Sequence, residues 1–166
     1  RSHQNVMSTT HIRQLPRASK ATRNQSVVAP LFPQTDQNFV IFRKAPMSDP
    51  WVQIYGAGAL ITVNSSGNAL VINGEDNSIY ELDGSAFAPI SDEATATDIG
   101  AGGGKVWIIG TEGSPETGYG IHRLDDSDWT LVPGAANEIT VDNNGNAWVV
   151  NAANSIYHFN GAAFMP

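Results

Sequence analysis

From Trp51 onward, short runs of β-branched and aromatic residues are separated by turns of Asn, Asp, Ser and Gly, the pattern of brief antiparallel strands. Ala59 to Val63 and Asn137 to Val141 read as a first strand. Ser65-Ser66-Gly67 and Asn143-Asn144-Gly145 then supply the positive φ of a tight hairpin. A second strand follows at Ala69 to Asn73 and Ala147 to Asn151, and a third at Ser78 to Leu82 and Ser155 to Phe159. Asp83-Gly84 and Asn160-Gly161 turn the chain again, and a fourth strand is expected over Phe87 to Ile90 and, in the same role, Trp129 to Val132. The second and third strands are apolar on both faces, as a sheet covered on both sides requires.

These strands recur because the sequence repeats. Trp51 to Asn73 aligns without a gap on Trp129 to Asn151, pairing Gly56 with Gly134, Ile61 with Ile139, Val63 with Val141, Gly67 with Gly145 and Asn73 with Asn151. Trp51, Phe87, Trp129 and Phe164 mark the boundaries, at the spacing where self-similarity signals propellers or solenoids. A looser middle copy has Asp98 to Ala101 as its first strand and Gly102-Gly103-Gly104 as its turn. Its second and third strands are Val106 to Gly110 and Gly120 to Leu124, and its extra length falls in Thr111 to Tyr119, expected as a surface loop. Sheets of four strands stacked face to face about an axis satisfy this pattern. The expected fold class is therefore all-β, with three four-stranded antiparallel propeller blades.

Ahead of the repeats, Phe39 to Arg43 reads as one more strand, and Trp51 to Ile54 as a spare fourth strand in front of the first copy. Residues 1–37 hold no sustained period and are rich in Ser, Thr, Asn, Gln and Arg, a composition that buries too little apolar surface to order itself. Its one apolar patch, Val27 to Phe32, is a candidate added strand or anchor. Charge divides the chain the same way. Residues 1–45 carry seven basic side chains and one acid, whereas residues 46–166 carry two bases and fifteen acids. We divide the chain into an extended basic N-terminal arm, 1–45, and a three-blade region, 46–166.

Composition narrows the chemistry. With no cysteine there is neither a disulfide framework nor a thiolate metal site. No apolar run approaches the roughly 20 residues of a membrane helix, so no membrane span is expected. The first methionine is Met7, a candidate natural start. His3, His11, His122 and His158 have no metal spacing, and no nucleophile elbow or phosphate loop is present. Asp142-x-Asn144-x-Asn146 has a hint of a calcium loop, but its twelfth position is Ala153 rather than Glu, and a hairpin turn is the better reading. No cofactor and no catalytic set are expected. Nucleic-acid binding through the arm is disfavoured, because the acidic body repels phosphate.

The aromatic-x-x-Val/Ile opening, the Ile-x-Val strand, the Asp-x-x-Gly-x-x-Trp-Val-x-Asn hairpin and the Ile-Tyr-x-x-x-Gly-x-x-Phe ending resemble the tectonin repeat of β-propeller proteins. Residues 129–164 carry the pattern best; the first copy has Leu70 where the pattern has Trp, and the second has a shortened turn. The resemblance implies a lectin-like module, since its members are typically six-bladed rings. Some of these recognise bacterial-surface or O-methylated sugars, and others act as protein-interaction modules.

A closed propeller takes about four to eight blades, and three repeats are present. A head-to-tail homodimer giving six blades is the favoured completion, with the spare strand finishing the last blade of a second copy. The functional expectation is a non-catalytic module for glycan recognition through an oligomeric ring. The alternative is a structural or protein-interaction subunit whose basic arm docks on the acidic body of a neighbour. Trp107 and Trp148 are read as blade packing, and Tyr80, His122 and Tyr157 as equivalent packed or rim positions. If the sugar binding implied by the resemblance carries over, ligand lies between blades near the loops, and Trp51, Asn73, Tyr119, Trp129 and Asn151 are the candidate contacts.

Overall fold

The computed structural model describes residues 37–44, 51–91 and 93–166. The Val27 to Phe32 patch and most of the basic arm lie outside the described residues. Among the described residues every regular element is a β-strand. Strands β3 (Leu60–Val63), β4 (Ala69–Ile72), β5 (Ile79–Asp83) and β6 (Ala86–Pro89) form the first four-stranded antiparallel blade. The second holds β7 (Asp98–Gly102), β8 (Lys105–Ser114), β9 (Gly118–Asp125) and β10 (Asp128–Ala136). The third holds β11 (Glu138–Val141), β12 (Ala147–Val150), β13 (Ile156–Phe159) and β14 (Phe164–Met165). Each blade is a meander in sequence order, and its first strand lies beside the first strand of the next, β3 against β7 and β7 against β11.

The strand expected at Phe39 and the spare strand at Trp51 pair with each other. Strands β1 (Phe39–Lys44) and β2 (Trp51–Gly58) make a two-stranded sheet, with Ile41 opposite Ile54, a bulge, and then Val40 opposite Ala57. In the second blade Ile121 stands opposite Val132, and Ala135 stands opposite Gly120 after the same irregularity. The pair β1–β2 is therefore the outer half of a blade, built to the register of β9–β10. The last blade also has its fourth strand in place, although β14 is only two residues long.

Turn chemistry fixes the register. Asn64 Oδ1 accepts the N–H groups of Ser66 and Asn68, and Asp142 Oδ1 likewise those of Asn144 and Asn146, so one side chain closes each first hairpin. The middle blade solves the same problem with Gly103 and Gly104, both at positive φ, in a two-residue turn that a side chain would strain. The expected loop at Thr111 to Tyr119 is instead mostly strand. Gly113 pairs with Tyr119 and Ser114 with Gly118 beyond a bulge, because Gly113 and Gly118 take the positive φ that lets the hairpin run on.

The core lies between blades. Val71, Leu82 and Phe87 of the first blade close on Ile41 and Ile54 of the half-blade. Leu70, Ile72 and Ile79 face Ile99 and Ile108 of the second blade. Trp107, Ile109 and Ile121 face Ile139, Val149 and Phe159 of the third. Successive residues along each second strand thus serve opposite interfaces, the two-faced burial expected from their apolar runs.

Candidate functional site

Where a fourth strand runs on toward the next blade, it covers that blade's outer aromatic residue. Gly56 at φ 144° and Gly134 at φ 141° do this: a Cβ on Gly56 would press against the ring of Phe87, and one on Gly134 would crowd Ile121 and touch the ring of Phe164. The first blade lacks this device. Its fourth strand stops at Pro89, and the chain reaches β7 through residues 90–97. This link is pinned by Ala96 N–H donating to Asn77 O and by the Thr95 and Thr111 hydroxyls, 2.7 Å apart.

The result is an open cleft of about 310 Å³ where the link meets the second blade, lined by Ser91, Glu93, Thr95, Glu112, His122, Ser127, Asp128 and Trp129 together with Ala94 and Ile108. His122 Nε2 lies 3.5 Å from Glu112 Oε2, an ion pair when the imidazole is protonated. Gly110 makes room for it: a Cβ there would run into the Glu112 carboxylate and lie 3.2 Å from His122 Nε2. Trp129 packs its ring against the core shared by the two blades, but its Nε1 is buried with no hydrogen-bond partner. An unpaired buried donor is costly by about 1–3 kcal/mol.

The same place between the second and third blades holds a hollow of similar volume, about 310 Å³, with a different lining. Tyr157 stands for His122, Phe164 for Trp129 and Val149 for Ile108, and Gly134 and Ala135 close one side. Between the half-blade and the first blade, Phe87 is buried under Gly56. One of three equivalent positions is therefore polar, and it is the one bridged by the longer link.

The five residues expected as contacts are not brought together. Trp129 lines the polar cleft and Asn151 the apolar hollow. Tyr119 packs against the core of the second and third blades. Asn73 is buried, and its Oδ1 accepts from Asn38 Nδ2 at 2.7 Å and from Glu75 N–H. Asn151 Oδ1 closes a turn in the same way, accepting from Ala153 and Ser155 N–H. Trp51 is exposed on the half-blade. Glu93, Glu112 and Asp128 went unnoticed in the sequence; the signal available was Gly110, standing where the other copies carry Asn73 and Asn151.

The calcium-like spacing forms a hairpin turn, in which Asn146 N–H, ahead of Asn144 N–H, holds the Asp142 carboxyl below the usual carboxylate range. Among the described residues no three His, Asp or Glu side chains are grouped to hold a metal ion. No curated protein matches the chain. A family model does: the Tectonin domain matches residues 95–166, which hold the second and third blades. The strands at 60–89 repeat those blades in order and pairing, so the part that is similar to the Tectonin domain and the part ahead of it share one blade pattern.

Proposed function

We propose that this chain is a non-catalytic, lectin-like β-propeller module that recognises glycans, with the cleft between the link at 90–97 and the second blade as a binding site. The observation that carries the reading is Trp129 in a cleft whose polar lining is hydroxyls, three carboxylates and His122, with the indole N–H buried beside it and without a partner. A sugar presents C–H faces to an aromatic ring and hydroxyls to carboxylates and to an indole N–H, which is the inventory this cleft offers. Glu93, Glu112 and Asp128 make the lining acidic, so neutral or amino sugars fit and sialylated or sulfated ones are repelled.

A glycan array read with the folded protein, followed by calorimetry on the hits, tests this. Trp129→Phe keeps the ring and removes the donor, and Glu112→Gln removes a charge; each should weaken binding about tenfold, as loss of one buried hydrogen bond implies. An array without hits among neutral and amino sugars, or hits that Trp129→Phe leaves unchanged, would discard the reading. A second reading, an interaction subunit, is favoured by apolar faces at the two ends of the blade array.

A further inference from the structure

Residues at equivalent positions of successive blades differ in exposure at the ends of the array. On the face of the second blade turned to the third, Trp107 and Ile121 are each 1% exposed; their counterparts on the third blade, Trp148 and Ile156, are 42% and 62% exposed. With Val150 they line an open apolar hollow of about 420 Å³. At the other end the relation is reversed. Ile139 of β11 is 8% exposed beneath the second blade, whereas its counterpart Ile61 of β3 is 55% exposed, and Val63, Phe42 and Trp51 are exposed with it. Trp51 corresponds to Trp129, which packs against the blade before it. One end thus carries the forward half of an inter-blade contact and the other end the backward half.

Charge agrees with this pairing. The half-blade carries Arg43 and Lys44 and no acid among its described residues, while β11 to β14 and their turns carry Glu138 and Asp142 and no Lys or Arg. Exposed aromatic and aliphatic faces of this kind mark protein contacts, and complementary charge at their edges favours one orientation.

We propose that a second copy of this chain covers the open face of the third blade, seating Trp148 and Ile156 against Trp51 and Phe42 of its half-blade, head to tail. Within one chain Trp107 and Ile121 pack on both inner and outer strands of the next blade; between chains the half-blade offers the outer-strand share of that contact. Used in both directions by two copies, the contact gives a closed twofold dimer. The contact is independent of the sugar cleft, which lies within one chain where the link at 90–97 meets the second blade.

Sedimentation equilibrium on the full chain should return the dimer mass. Trp148→Glu or Trp51→Glu should each weaken dimerisation at least about tenfold, since each places a carboxylate in an apolar contact. Mixing the two variants should restore a one-to-one dimer, because each supplies the intact half that the other lacks. Circular dichroism checks that both remain folded. Because the chain has no cysteine, Ile156→Cys and Trp51→Cys give a second measurement: a short bismaleimide should link the mixed variants and leave each alone unlinked. A monomer at every concentration, a dimer that survives either glutamate, or crosslinking of Ile156→Cys to itself would overturn the proposal. Trp148→Glu that abolishes dimerisation while neutral-sugar binding persists supports it and separates it from the cleft.

Discussion

Trp107 and Trp148 occupy the same position in successive blades and live in different surroundings. Trp107 is closed in by Phe159 and Phe164, edge-on at 5.0 and 6.2 Å, its Nε1 donates to Gly145 O at 3.1 Å, and the Arg123 guanidinium sits 5.5 Å over its ring. Trp148 has only part of this. His158, in the place of Arg123, lies 4.3 Å from it, and among the described residues no blade covers its outer side. The two blades share a strand pattern, so the difference comes from the neighbour rather than from the blade. In an array of this kind, burial is a property of position in the stack.

The comparison is sharpest in stability. Trp107→Ala should destabilise the fold by about 3–5 kcal/mol, the cost of emptying a closed aromatic site, measured by urea unfolding of dilute protein. Trp148→Ala under the same conditions should change it by about 0.5 kcal/mol or less. Equal effects would mean that the third blade's outer face is as closed as the inner ones.

Next comes the stitch between the second and third blades. Asp98 Oδ2 accepts the Ile139 N–H at 2.8 Å, tying β7 to β11, and Asp98→Ala should lose about 1–3 kcal/mol by leaving that group unpaired. Smaller still is the support over the Trp107 ring. Asp125 binds Arg123 through Nε and Nη2, and Asp125→Asn should lose less than about 1 kcal/mol, because the pair is partly solvated.

The smallest effects are in pH dependence, and their signs oppose. Burial, as the main cause, holds the Asp98 carboxyl above its ordinary value, with Glu138 adding to it and the Ile139 and Ile99 N–H groups opposing. The native state then binds that proton more tightly than the unfolded chain, so stability from Asp98 grows as pH falls toward the ordinary carboxylate range. Asp142 is lowered, so its contribution is present above the ordinary value and fades as pH falls through the lowered one. Unfolding free energies measured down a pH series should show wild type gaining on Asp98→Asn and losing its lead over Asp142→Asn. A shared sign would break the distinction between the buried tie and the exposed turn.

Much of the fold was legible because blades announce themselves locally. The Asn64 and Asp142 turns and the apolar runs between them place strands to within about a residue at most ends, since a hairpin register follows from its turn. The middle blade's long hairpin was not legible. Gly113 and Gly118 read as loop punctuation, yet positive φ at a bulge extends a strand as readily as it ends one. The cleft was harder still. Asn73 and Asn151 were candidate contacts because the resemblance puts ligand between blades near the loops; their Oδ1 atoms accept N–H groups of their own turns, which no repeat pattern displays. What opens the cleft is the link at 90–97 and the bare backbone of Gly110, and neither carries a repeated signal.

The fourth strands that run on from one blade toward the next have a further consequence. The unit that recurs in the sequence begins on an outer strand, at Trp51 or Trp129, while the unit that folds begins on an inner strand, at Leu60 or Glu138. The two frames are out of phase by one strand. A duplicated stretch therefore arrives carrying the tie to its neighbour already built, and an array can lengthen by whole repeats without designing a new joint. Gly56 and Gly134 are such joints, and the link at 90–97 is the one place where the ready-made joint was exchanged for another.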